Sequence, residues 1–158
     1  MLKINERSAF IEETGLLFEN FGMTRMAGRI LGYLMVTDKE MVSFDELTHV
    51  LQASKSSIST NVKALTFTHF IKPITTPGDR KTYYMLSPDV SWVEMYRTRM
   101  QQLDLMVKVF EKGLGLRTNS KDKSSQWLQN GIDFYSWVLK EFPHVLDKWE
   151  EHVKNKTA

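Results

Sequence analysis

Apolar positions recur along this chain in three regimes. Between Glu6 and Phe21, the residues Phe10, Leu17 and Phe21, flanked by Ile11 and Phe18, repeat at helical spacing. Gly22 follows as a residue able to take the left-handed backbone that ends a helix. Thr24 can cap the next helix, "RMAGRILGYLMV", whose buried stripe is Ile30, Leu31, Leu34 and Met35 and which stops near Thr37 and Asp38. On it, Gly28 and Gly32 are spaced for close backbone packing, and charged flanks put that packing in a protein core, not a bilayer.

The second regime keeps helical spacing in shorter and more polar segments. "SFDELTHVLQ" opens with Ser43 and has Glu46 three residues on, a capping box in which each side chain satisfies the other's amide, followed by Leu47, Val50 and Leu51 as an inward stripe. After Gln52 and Ala53 comes a second cap, Ser54, and a helix whose apolar residues Ile58, Val62 and Leu65 face inward. Two short helices joined this tightly predict a helix-turn-helix. At about 100° per residue the face opposite that stripe carries Ser56, Thr60 and Lys63, with Ser57, Ser59 and Ala64 beside them. Short hydroxyl side chains let a helix approach a groove closely and bond phosphates or base edges, while Lys55 and Lys63 supply charge. A helix meant only for solvent would gain more from Glu, Lys and Gln.

"FIKPITTPGDRKTYYMLS" then changes the period to two. Phe70 to Thr76 and Lys81 to Leu86 are β-rich runs joined by Pro77-Gly78, the central pair that a type II turn prefers. Pro73 cannot donate to a ladder and so belongs on an edge or at a bulge of a small two- or three-stranded sheet. A hairpin behind a helix-turn-helix, with Asp79, Arg80 and Lys81 at its tip, predicts a wing, with Arg80 reaching for the minor groove or its phosphates.

In the third regime Val93, Tyr96, Met100, Leu103, Val107, Phe110 and Leu114 alternate at spacings of three and four, a heptad seam that needs a partner. Beyond the polar loop "GLGLRTNSKDKSS", Leu128, Ile132, Tyr135, Leu139 and Phe142 form a second stripe, which Pro143 interrupts or kinks before Leu146, Trp149 and Val153 continue it. The pattern predicts a mainly α protein with a small β-wing. Residues 1–22 form an N-terminal helix packing with the dimerisation region, 23–87 a winged helix-turn-helix domain, and 88–158 long helices that dimerise. A homodimer fits, because paired reading helices can meet successive major-groove faces about 34 Å apart.

Composition narrows the function. In 158 residues, 42% of them apolar, there is enough for a real core, and no Cys for disulfides, thiol nucleophiles or Cys-based metal sites. No run of about 18 apolar residues occurs, and "MLKINERSAFIEE" places acids where an export signal needs its apolar centre, so a cytoplasmic protein without membrane contact is expected. The net charge of +2 is small, but residues 53–82 hold Lys55, Lys63, Lys72, Arg80 and Lys81 against Asp79 alone, a local +4 suited to a polyanion. No zincin pair, phosphate loop, dinucleotide glycine pattern or nucleophile elbow is present, so neither enzyme nor cofactor is expected. His144 with Asp147, and Glu151 with His152, read as exposed terminal polar residues, not metal ligands, and His69 as a residue ending a helix.

Taken together, "TRMAGRILGYLM", "SFDELTHVLQASKSSISTNVKAL" and "PGDRKTYYML" resemble the MarR-type winged helix-turn-helix transcription regulators, and most closely the GbsR-like branch, named for the regulator of glycine betaine synthesis. The likeness covers about residues 20–90. It implies a dimeric repressor or activator that binds double-stranded DNA and answers to a small-molecule effector. The reading helix would contribute Ser54, Lys55, Ser56, Ser57, Ser59, Thr60, Asn61 and Lys63, and the wing Gly78, Arg80 and Lys81. One departure is the turn, where Gln52 and Ala53 replace the common Gly and β-branched pair. Through its link to choline and betaine, the branch also suggests an aromatic cage for a quaternary ammonium compound, with Trp92, Tyr96, Trp127, Tyr135 and Trp137 as candidates. Helical spacing alone would make the same aromatics ordinary core. The rival to a DNA reader is a winged-helix module that binds protein instead.

Overall fold

A computed structural model describes the backbone of residues 2–157 and the side chains of residues 5–156. The chain divides into two units, one ending at Val90 and the other beginning at Ser91.

The first unit opens with α1 (Leu2–Asn20) and α2 (Arg25–Val36). Gly22 takes φ +78°, and the amide of Met23 bonds back to the Phe18 carbonyl, so α1 stops as its glycine predicts. The two helices cross at contact distance: a methyl group at Gly28 would lie 2.6 Å from the Thr14 carbonyl oxygen, and one at Gly32 would press on Ile11 and Thr14. Arg29 Nε donates to Glu12 across the same crossing at 2.8 Å. The expected stripe of α1 is therefore rotated. Ile11, Thr14 and Gly15 are buried with Phe18 beside them, whereas Phe10, Leu17 and Phe21 are exposed, because the crossing needs the small residues inside. Helix α1 lies against α2, within the first unit.

A two-residue strand β1 (Val42–Ser43) leads directly into α3 (Phe44–Val50), and α4 (Lys55–Phe67) follows the turn. The core joins Ile30 and Leu31 of α2, Leu47 of α3, Leu51 beyond it, Ile58 and Leu65 of α4, and Ile71. Met35 and Val50, expected inward, are exposed. The capping box is half formed: Ser43 Oγ accepts from Glu46 N at 3.1 Å, but the Glu46 carboxylate accepts instead from Tyr33 OH at 2.7 Å and from Lys39 Nζ at 2.8 Å. Ser43 pairs with Tyr83 in the sheet, so its backbone is engaged elsewhere. Gln52 adopts φ +49° in the turn, the conformation ordinarily given to glycine, and the Ala53 amide closes on the Thr48 carbonyl. His69 ends α4 in the same left-handed way, at φ +61°, with the Phe70 amide bonded to the Leu65 carbonyl.

Strands β2 (Ile71–Thr75) and β3 (Thr82–Leu86) form the expected hairpin, and β1 completes a three-stranded sheet in the order β1-β3-β2. Pro73 sits on the edge strand β2, opposite Tyr84. The fold of this unit is a winged helix.

The second unit is an antiparallel pair, α5 (Trp92–Gly115) and α6 (Lys123–Thr157). The turn between them is built on Ser125, 1% exposed, whose hydroxyl donates to the Asn119 carbonyl at 2.6 Å and accepts from Arg117 Nε at 2.8 Å. The heptad seam has its partner in the same chain: Tyr96 meets Phe142, and Phe110 meets Trp127 and Tyr135. Helix α6 continues through Pro143 without a break, with Leu128, Ile132 and Leu139 at least half-covered.

Candidate nucleic-acid interface

Helix α4 starts where Ser54 accepts the Ser57 amide at 3.2 Å, and a further contact at 3.0 Å links the hydroxyls of Ser54 and Ser56. Ile58, Val62 and Leu65 anchor the helix in the core. What remains outward is Lys55, Ser56, Thr60, Lys63 and Ala64, all exposed, with Ser57 and Ser59 half-buried at the flanks. Phe67, 70% exposed, extends that face by another turn. The sequence reading missed it because a Phe four residues after Lys63 looks like the end of a core stripe. At about 100° per residue it falls opposite Ile58, close to Thr60.

Asn61 does not belong to this face. It is 5% exposed; its Nδ2 donates to the Ser57 carbonyl at 2.8 Å, and its Oδ1 accepts from the Thr24 hydroxyl of α2. The reason is angular, since Asn61 lies about 60° from Ile58 around the helix, on the flank that meets α2.

The wing tip is prefolded. Gly78 has φ +85°, the Asp79 amide bonds to the Thr76 carbonyl at 3.0 Å, and the turn is type II as its Pro-Gly pair predicts. The Asp79 carboxylate then accepts from the Lys81 amide at 2.9 Å and from Tyr83 OH at 2.8 Å. These bonds, the Lys81 amide first, hold the carboxyl below its ordinary value of 3.8, and the same contact raises the Tyr83 phenol. Asp79 is thus occupied in shaping the turn, while the Arg80 and Lys81 side chains project into solvent. Its role was not legible, because an acid among basic residues reads as one opposed charge and nothing more.

The basic patch contracts slightly. Lys72 is paired with Asp89, but among the described residues no salt bridge engages Lys55, Lys63, Arg80 or Lys81. A groove of about 370 Å³, lined by Val62, Lys63, Thr66, Phe67, Pro73 and Tyr84, separates α4 from the sheet. A second depression, about 240 Å³, brings Arg80 and Lys81 beside Ser43 and Asp45.

Two other sets of predicted residues are placed differently. The aromatic candidates do not converge within one chain: Tyr96 lies beside Phe142, while Trp127 and Tyr135 lie beside Phe110, about 21 Å along α5 from Tyr96. Trp92, Trp127 and Trp137 are exposed. The seven seam residues are largely spent on α6: Val93 and Val107 are buried, Met100, Leu103, Phe110 and Leu114 are half-covered, and Tyr96 is exposed. Also open are Leu105 and Val109 on α5 and Leu116 at its C-cap, which fall within about 40° of one another on the helix's other side.

Comparison with known proteins agrees with the geometry. The profile of MmpR5-like MarR family transcriptional regulators matches residues 90–152. The HTH-type transcriptional regulator MmpR5 of Mycobacterium tuberculosis is 31% identical over 144 residues, spanning 91% of this chain and 87% of that protein. A crystal structure of a transcriptional regulator superposes with TM-score 0.78 at 30% identity, over 92% of this chain and 99% of the other.

Proposed function

Because the chain belongs to the MarR family of transcriptional regulators, we propose that it works as a homodimeric reader of duplex DNA, with α4 in the major groove and the β2–β3 wing against the backbone beside it. It is a regulator, not an enzyme. The observation that carries the proposal is the outward face of α4, where Ser56 and Thr60 stand exposed between Lys55 and Lys63 and, among the described residues, no acid forms a salt bridge to either lysine. Ser57 and Ser59 flank the face, Ser54 holds the helix start, and Arg80 and Lys81 on the Gly78 turn supply the second contact. A protein-binding module would have no need to keep Lys55 and Lys63 exposed beside a row of alcohols.

The experiment is selection of bound fragments from the host genome, followed by affinity against salt. Binding weakens steeply as salt rises; Lys63→Ala lowers the log–log slope by about one, and Thr60→Ala alters base preference more than slope. A flat salt response would favour the protein-binding alternative.

Dimerisation is supported by the apolar residues that one chain leaves open, Trp127, Phe134, Val145 and Trp149 on α6 above all. Repression follows if the selected sites overlap promoters. An effector acts through differential affinity for dimer states with different spacings of the reading helices, which titration of DNA binding with candidate metabolites measures. The GbsR-like placement rests on the motif resemblance, and a cytoplasmic site of action on the need to meet the chromosome. Among the described residues no helix is long and apolar enough to cross a membrane.

A further inference from the structure

One hydrogen-bonded chain joins α2 to the reading helix. The Ala27 amide donates to Thr24 Oγ1 at 3.0 Å, the Thr24 hydroxyl donates to Asn61 Oδ1, and Asn61 Nδ2 donates to the Ser57 carbonyl at 2.8 Å. Its direction is fixed, because a carbonyl only accepts, so the amide nitrogen must face Ser57 and the amide oxygen must face Thr24. Asn61 is buried, and no buried side-chain polar atom among the described residues lacks a partner.

We infer that Asn61 is a positioning residue for DNA recognition: with Thr24 it sets the rotation of α4 about its own axis, and so where Ser56 and Thr60 arrive at base edges. This rests on the reading of α4 as the recognition helix. Ile58, Val62 and Leu65 hold α4 to the core by contacts that are not directional, and such contacts tolerate a small turn of the helix. Hydrogen bonds do not, because they weaken steeply with distance and angle. With side chains about 5–6 Å from the axis, a 10° rotation moves their tips by about 1 Å. A slip of that size breaks a base-edge bond made by a short hydroxyl, but the long flexible side chains of Lys55 and Lys63 follow a phosphate through it. The Asn61–Thr24 link should therefore govern discrimination between sequences and leave charge-driven binding alone.

The test uses the full chain with two duplexes, a fragment recovered by genomic selection and a random sequence of equal length. Thr24→Val and Asn61→Ala should each lower the ratio of the two affinities about tenfold, with random-sequence affinity and salt slope unchanged. The double variant should lose no more than either single one, since both break the same chain. Thr24→Ser, which keeps the hydroxyl, should behave as the parent. Thr24 is exposed, so Thr24→Val carries the test even if Asn61→Ala does not fold. Parent discrimination that persists undiminished in Thr24→Val overturns the inference and leaves α4 as the reader. A parent protein that does not distinguish the duplexes at all overturns both.

Discussion

Two backbone positions show what a single residue type contributes. At Gly28 the added carbon of alanine would sit 2.6 Å from a carbonyl oxygen and 2.8 Å from the Gly15 Cα, neither of which is the end of a flexible side chain. Alanine favours a helix over glycine by about 1 kcal/mol. The overlap outweighs that gain, so Gly28→Ala should destabilise by about 1–3 kcal/mol in denaturant melts. Gln52 is the opposite case, an ordinary residue held at φ +49°, in the left-handed region that favours glycine. Gln52→Gly should stabilise by about 1 kcal/mol, less the glycine's extra freedom in the unfolded chain, and raise the melting temperature by a few degrees. Both positions stood out in the sequence for local reasons. Asn61 did not: on a polar helix it looked like one more outward amide, because its partner, Thr24, comes from 37 residues earlier in the chain.

Among the elements, α2, α4 and the wing were legible because caps, periodicity and turn chemistry agree in each. The boundaries of the α4 cap at Ser54 and of the Pro77-Gly78 turn hold as read. The stripe of α1 was not, since ranking positions by apolarity favours Phe10, Leu17 and Phe21 over the small residues that a close crossing buries. The capping box failed for a related reason: Glu46 had two better partners outside its own helix. That clip gives a pH dependence. Burial pushes the Glu46 carboxyl upward, but bonds from Lys39 and Tyr33 and the Lys39 charge bring it below its ordinary 4.5. A depressed acid contributes stability above its unfolded value and loses it as pH falls through the folded one. Tyr33, raised above 10.0 by burial and by its bond to Glu46, contributes below that value and loses its share as pH rises past it. With Lys39 largely exposed, the difference between the parent and Glu46→Gln should be about 0.5 kcal/mol near neutrality. It should shrink in melts below the ordinary glutamate range.

At the scale of the whole molecule, the C-terminal pair raises the question of what its apolar surface is for. The sequence pattern identified a heptad seam that needs a partner, but sequence periodicity cannot say whether such a stripe is satisfied in its own chain or by a second subunit. On α6 the residues turned to α5, among them Leu128, Leu139 and Leu146, lie about 100° from a second set, Trp127, Phe134, Val145 and Trp149, that spans about 60° and stays open. Four such residues on one side of a helix that already has a packed face are more than a monomer usually shows. If a second copy covers them, Phe134→Lys should turn the dimer into a folded monomer in analytical ultracentrifugation, because it puts an unpaired charge into a buried contact. The helical circular dichroism signal should remain, since Phe134 is exposed within the chain and removing it opens no cavity. Specific DNA affinity should then fall by about 10²–10⁴, the range lost when two linked contacts become one, while each reading helix keeps its shape. A monomeric variant that binds the selected fragment as tightly as the parent would separate dimerisation from recognition.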